Sequence, residues 1–205
     1  MPYNSLIPRT IVSLVQPAVY AVAARLFVLT TDRRGSRRFK PSISTFFETG
    51  LVTSLYEQLL MSPRLSHLDV RHEMPFSAAA KGRQRQVDIW LRPVVGGYAH
   101  CVEAGDFSVG KAHSDARKLQ ILNPRGSNWF LAFFRHPEDA DDPFSKIQRS
   151  FGRQNGLDPH LVTADEKLTR AFQVYLPNGS HDPFGFSLFK VAAPSPSAGS
   201  VPPSC

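Results

Sequence analysis

The spacing of apolar residues changes several times along the chain, and each change marks an element. Val19, Val22, Ala23, Leu26 and Phe27 recur at helical spacing, which predicts a helix from about Pro17, where proline suits the first turn. A polar link follows over 32–40. Phe47, Leu51, Leu55, Leu59 and Leu60 form the stripe of a second helix, capped by Ser42 or Ser44 and stopped by Pro63. Residues 68–76 read as a strand and Lys81-Gly82-Arg83 as a turn. In 86–95, Val87, Ile89 and Leu91 alternate with Asp88 and Trp90, the mark of a strand with two unlike faces. Gly96-Gly97 predicts a tight hairpin turn into a third strand, 98–107. A helix over 111–122 comes next. A fourth strand, 128–135, is apolar on both faces, as in a sheet covered on both sides.

The predicted order is therefore helix, three strands joined by short turns, helix, strand. A helix between the third and fourth strands makes a crossover, so those two should be parallel in a mixed sheet with helices on both faces. Asp142-Pro143 can start a further helix ending near Gly156, with Phe144, Ile147 and Phe151 on one side. Residues 170–176 and 184–191 read as a hairpin around Pro177-Asn178-Gly179. From Pro194 onward nine of twelve residues are Pro, Ser or Gly, which predicts a disordered tail.

Composition narrows the class. In 205 residues, 42% are hydrophobic and 20% charged, ordinary for a globular domain. Two cysteines, Cys101 and Cys205, are too few for a disulfide scaffold and suit a reducing, cytoplasmic setting. The apolar stretch 11–29 is broken by Gln16, Pro17 and Arg25, which argues against a membrane span. The net charge of +7 is uneven: residues 1–40 carry seven Lys/Arg against one Asp, while 136–205 carry six against eight acids. Arg33, Arg34, Arg37, Arg38 and Lys40 supply most of the excess, either as a phosphate-binding run or as a solvated linker.

The candidate chemistry lies in two acids. Asp88 and Glu103 each sit mid-strand among apolar neighbours, where a lone carboxylate is costly to bury. The Gly96-Gly97 turn lies about midway between them, so the hairpin can bring them together on one face. Like charges so placed repel unless a proton or cation compensates, and a hard divalent ion with oxygen ligands would serve. The bland alternative is that each acid pairs with a nearby base, Arg83, Arg85 or Arg92, or faces solvent.

The element order and the acid pair resemble the PD-(D/E)XK, or restriction-endonuclease-like, nuclease superfamily over about 41–135. The resemblance implies an α/β fold with an αβββαβ core, a mixed sheet flanked by helices, and an added C-terminal helix and hairpin. Residues 1–40 would be an N-terminal helix and basic linker, 41–135 the core, 136–193 the helix and hairpin packed on it, and 194–205 the tail. Asp88 and Glu103 match the metal-binding Asp and Glu, and Glu48 or Glu57 the auxiliary acid of the first helix. Asp115-Ala116-Arg117-Lys118-Leu119 resembles the polar helix after the third strand. The lysine of Glu-x-Lys is Gly105 here, so Lys111 or Lys118 would have to supply its charge from that helix. The implied activity is Mg²⁺- or Mn²⁺-dependent hydrolysis of nucleic acid, DNA foremost, with Asp88, Glu103 and the Ala104 carbonyl holding the ion. Arg83, Arg85 and the 33–40 run would contact the backbone, and a homodimer is allowed. The alternative is an inactive member of the same fold that binds nucleic acid or protein.

Other signals are weaker. There is no zinc motif, phosphate loop or Gly-x-Ser-x-Gly elbow. His100, Glu103 and His113 could form a transition-metal site only if His100 shared a face with Glu103, which their odd separation opposes. Trp129, Phe130, Phe133 and Phe134 could stack bases but fit a core strand better.

Overall fold

A computed structural model of the chain describes residues 3–31, 43–76, 85–135, 157–175 and 181–194. Helix α1 (Tyr3–Thr31) packs on α2 (Ile43–Leu60); a 3-10 turn (Pro63–Leu65) leads to β1 (Leu68–Phe76), β2 (Arg85–Pro93) and β3 (His100–Asp106). Then come α3 (Val109–Leu122), β4 (Ser127–Arg135), the short β5 (Val162–Thr163), β6 (Thr169–Tyr175) and β7 (His181–Val191). The fold is α/β: one mixed seven-stranded sheet, ordered β1-β2-β3-β4-β7-β5, with β6 also paired to β7. β1, β2 and β3 are antiparallel in sequence, and β3 and β4 are parallel across the α3 crossover.

β4 explains why helices cover both faces. Trp129, Leu131 and Phe133 join the cluster under α1 and α2, with Ile11, Val15, Leu55, Ile89 and Val102. Phe130 and Ala132 join the cluster under α3, with Ala112, Ala116, Leu119, Trp90 and Cys101. The aromatic run of β4 is thus core, with only Phe134 half-buried, stacked on Phe107 at 4.8 Å.

Several boundaries differ from the sequence pattern. Helix α1 starts fourteen residues before Pro17, and Pro8 and Pro17 both lie inside it. An internal proline costs about 3 kcal/mol. Ile7, Ile11, Val15 and Val19 are almost wholly buried, and each such side chain contributes about 1.5–3 kcal/mol, so burial outweighs the proline. The segment Leu6–Arg25 is long and apolar enough to cross a membrane by length and composition, and 56% of its most apolar 18-residue window is buried within this fold. Leu60, expected in the buried stripe of α2, is 51% exposed. The turn at Gly96-Gly97 is wider than a two-residue hairpin: both glycines take positive φ (61° and 95°), but the ladder resumes only at Leu91–His100. The expected C-terminal hairpin forms and is continuous with the sheet, because β7 pairs with β4. The predicted helix 142–156, the basic run 33–40, the turn at 81–83 and the tail from Ser195 lie outside the described residues.

Candidate active site

Two local features build the site. The first is an opening between β2 and β3. Their ladder runs from Leu91–His100 to Ile89–Val102, and the same register places Asp88 opposite Glu103. Backbone pairing stops before that position. Asp88 Oδ2 instead accepts a hydrogen bond from the Ala104 N–H at 2.7 Å, so the acid's side chain patches the gap between the strands. Ala104, expected to offer its carbonyl to a metal, meets Asp88 through its amide. The second feature is the start of α3. Ser108 caps it by accepting from the Lys111 N–H at 3.1 Å, which fixes Lys111 in the first turn directly above the end of β3.

From there Lys111 reaches back over the strand. A Cβ on residue 105 would overlap Lys111 Cε and lie 2.8 Å from Nζ. Gly105 therefore leaves the space that the Lys111 side chain fills. Its ammonium lies 3.3 Å from Asp115 Oδ2 and 3.5 Å from Glu48 Oε1, which brings α2 into the site. Two turns along α3 from Lys111, Lys118 Nζ stands 2.8 Å from Glu103 Oε1. Of the two auxiliary acids, Glu48 is assembled here, whereas Glu57 pairs with Arg25 of α1 at 2.6 Å.

The charges are out of balance. Glu103 is only 4% exposed. Burial pushes its carboxyl up to about 8; Asp88 and then Asp115 add to the rise, and Lys118 only partly offsets them. Asp88 is also raised, by burial first, against the opposing pull of the Ala104 N–H, Lys118 and Lys111. Burial draws Lys111 toward neutrality, but Asp115 and Glu48 outweigh it and leave its pKa above the usual lysine value. Lys118 touches Glu103 Oε1 without the alignment of a hydrogen bond, and among the described residues neither that oxygen nor Asp115 Oδ2 has a hydrogen-bond partner. The other buried atoms left without partners, such as Ser54 Oγ and Trp129 Nε1, are neutral. Cys101 is buried beside Glu103, and its thiol is pushed up to about 12 by burial and then by that acid, which rules it out as a nucleophile.

The site opens into a cleft of about 910 Å³. Of the acid–lysine group Asp88 and Lys118 line it, together with residues of α3 that include Ser114 and Arg117 and with Glu73 and Gln86 of β1 and β2. Arg117 belongs to the polar face of α3 that the sequence marks out. Glu73 does not stand out in the sequence, because nothing in a strand pattern reports a twist.

The His100–Glu103–His113 grouping does not assemble. His100 joins a cavity at the opposite end of β3, burial lowers its pKa, and His113 Nε2 accepts from the Asp158 N–H at 3.0 Å. Among the described residues no three His, Cys, Asp or Glu side chains converge as direct metal ligands. Arg33, Arg34, Arg37, Arg38, Lys40 and Arg83 lie outside the described residues, as does the side chain of Arg85. No protein-family model, curated protein or solved structure matches the chain.

Proposed function

We propose that this protein is a metal-dependent nuclease that hydrolyses phosphodiester bonds in nucleic acid on a PD-(D/E)XK-type core. One observation carries the reading: Lys111 crosses Gly105 beside the Asp88–Glu103 pair, so the charge missing from the third strand arrives from the next helix.

The residues fit a hard divalent cation. Asp88 and Glu103 offer oxygen, Glu103 Oε1 is a buried carboxylate oxygen without a hydrogen bond, and the two acids repel each other. Asp88 and Glu103 would hold Mg²⁺ or Mn²⁺, with waters completing a shell that two side chains cannot fill. Once bound, the ion supplies Lewis acidity and a water of lowered pKa. The chain's own groups do the rest. The Ala104 N–H holds Asp88 in place, and Lys111 would supply positive charge against the negative charge a phosphate gains in the transition state. Arg117 and Ser114 line the cleft and would position the backbone without reading bases.

A second reading, a non-catalytic binding module, draws on one fact: both lysines are already engaged by acids, Lys111 by Glu48 and Asp115 and Lys118 by Glu103. Calorimetric titration with Mg²⁺ and Mn²⁺, followed by incubation with duplex DNA, single-stranded DNA and RNA, separates the two. Metal uptake with cleavage supports the nuclease. Nucleic-acid binding without metal uptake or cleavage supports the module.

A further inference from the structure

β1 carries an irregularity directly across from Asp88. The β1–β2 ladder is unbroken from Leu68–Pro93 to Phe76–Arg85 except at one step, where Glu73 and Asp88 would pair. Glu73 has φ 49°, the left-handed region, and among the described residues it is the one non-glycine with positive φ. Glutamate gains nothing there: it lacks the short side chain that lets Asn or Asp bond its own backbone in that conformation. Such strain persists where the surrounding structure over-determines it, and it gathers at functional sites.

The strain has a structural effect. His72 stacks on Tyr56 of α2 and its partner Ile89 lies in the core under α1 and α2. Two residues on, Met74 packs against the α3-side core, where its partner Val87 is buried. A regular ribbon would keep both pairs on one face. The ribbon therefore rotates at Glu73 and Asp88, and that rotation presents both acids to the same cleft. Glu73 is exposed, whereas Asp88 is partly buried.

We infer that Glu73 is a third acid of the site, acting through water: its carboxylate accepts hydrogen bonds from the waters of a hydrated divalent cation held at Asp88 and Glu103. This rests on the metal reading proposed above. Direct coordination is not what the geometry offers, since no three such side chains converge as ligands among the described residues. Mg²⁺ retains several waters when one or two carboxylates bind it, and waters on the Asp88 side would face the cleft that Glu73 lines. The strained backbone is what puts a carboxylate there. A glycine would relieve the strain and lose the acid.

The test measures Mg²⁺ and Mn²⁺ affinity by calorimetry, and melting temperature without metal, for the wild type and Glu73→Gln, Glu73→Gly and Glu57→Gln. Outer-shell partners typically change metal affinity by about 10–100-fold. Glu73→Gln and Glu73→Gly should both weaken Kd by about tenfold or more, with Glu73→Gly melting no lower than the wild type because Gly accepts positive φ. Glu57→Gln, which removes a remote acid, controls for net charge and should bind like the wild type. Wild-type uptake that both Glu73 variants retain within about twofold overturns the role of Glu73 alone. An equal loss in Glu57→Gln overturns it too, by tracing the effect to net charge. A wild type that takes up neither ion overturns the metal reading, and the role of Glu73 with it.

Discussion

Two polar groups are buried beneath the two ends of α3, and they are built on opposite terms. At the C-terminal end, Asn123 Nδ2 donates to the Ala99 carbonyl at 3.0 Å and to Asn128 Oδ1 at 2.9 Å. Asn128 Nδ2 donates to the Asn123 carbonyl at 3.0 Å and the Leu119 carbonyl at 3.3 Å. The group is neutral and satisfied, and it ties the helix end to the entry of β4. At the N-terminal end, burial raises the proton affinity of Glu103 and Asp88, neighbouring acids add to both, and two carboxylate oxygens face lysine ammoniums without a hydrogen bond. Water-excluded polar groups stabilise a fold only when fully paired. The asparagine end therefore clamps the fold, and the acid end is where the cation proposed above would bind.

The sharpest way to break this comparison is to neutralise the acid end. Asp88→Asn or Glu103→Gln should lower cleavage by about 10³-fold or more, because several kcal/mol of charge stabilisation depend on the bound ion. A gel-based cleavage assay under single-turnover conditions reads this, and wild-type rates in both variants would contradict the site. Lys111→Met should cost about 10²–10³-fold in rate, the scale of losing one oriented donor to developing charge, with little loss of melting temperature. Its complement is Gly105→Lys combined with Lys111→Ala, which returns the lysine to β3; recovery of activity over Lys111→Ala alone would show that the two positions serve one charge.

The asparagine end should respond in the other currency. Asn128→Ala removes one of two partners from the Asn123 amide and from the Leu119 carbonyl, which keeps the Asn123 backbone N–H, and should lower unfolding free energy by about 1–2 kcal/mol in urea titrations while activity per folded molecule holds. The smallest effect is a slope. Glu103 holds its proton more tightly folded, up to about 8, than at its ordinary 4.5. Metal-free stability is therefore full below about pH 4.5 and falls as pH rises toward 8, by at most about 1.4 kcal/mol per pH unit for one proton. Glu103→Gln should flatten that slope, and an unchanged slope would place the proton elsewhere.

Much of the scaffold was legible before the fold was known. The limits of β1 are those read from the sequence, and the ends of α2, α3 and β4 fall within two residues of the expected ones. Asp88 and Glu103 could be singled out because a carboxylate in an apolar strand pattern is conspicuous. The wider turn after β2 was not legible, since the β1–β2 register runs one step past Leu68–Pro93, where the Val94 N–H bonds the His67 carbonyl, a pairing between segments far apart in sequence. Nor was the early start of α1, which its packing on α2 and the sheet decides against two prolines.

What the sequence determined by itself is what a short window of chain carries: the periods that define strands and helices, and the acids out of place among apolar neighbours. Tertiary structure decided everything that needs two windows at once. It chose Lys111 to pass over Gly105, because the cap at Ser108 aims the first turn of α3 back across β3. It turned β1 at Glu73 to face Asp88, a strain that only the surrounding packing can hold. It left Glu103 with too little positive charge, because burial depends on which helix covers the strand. Spacing along a chain is a local property, whereas proton affinity, strain and the alignment of an ion pair are properties of the whole environment.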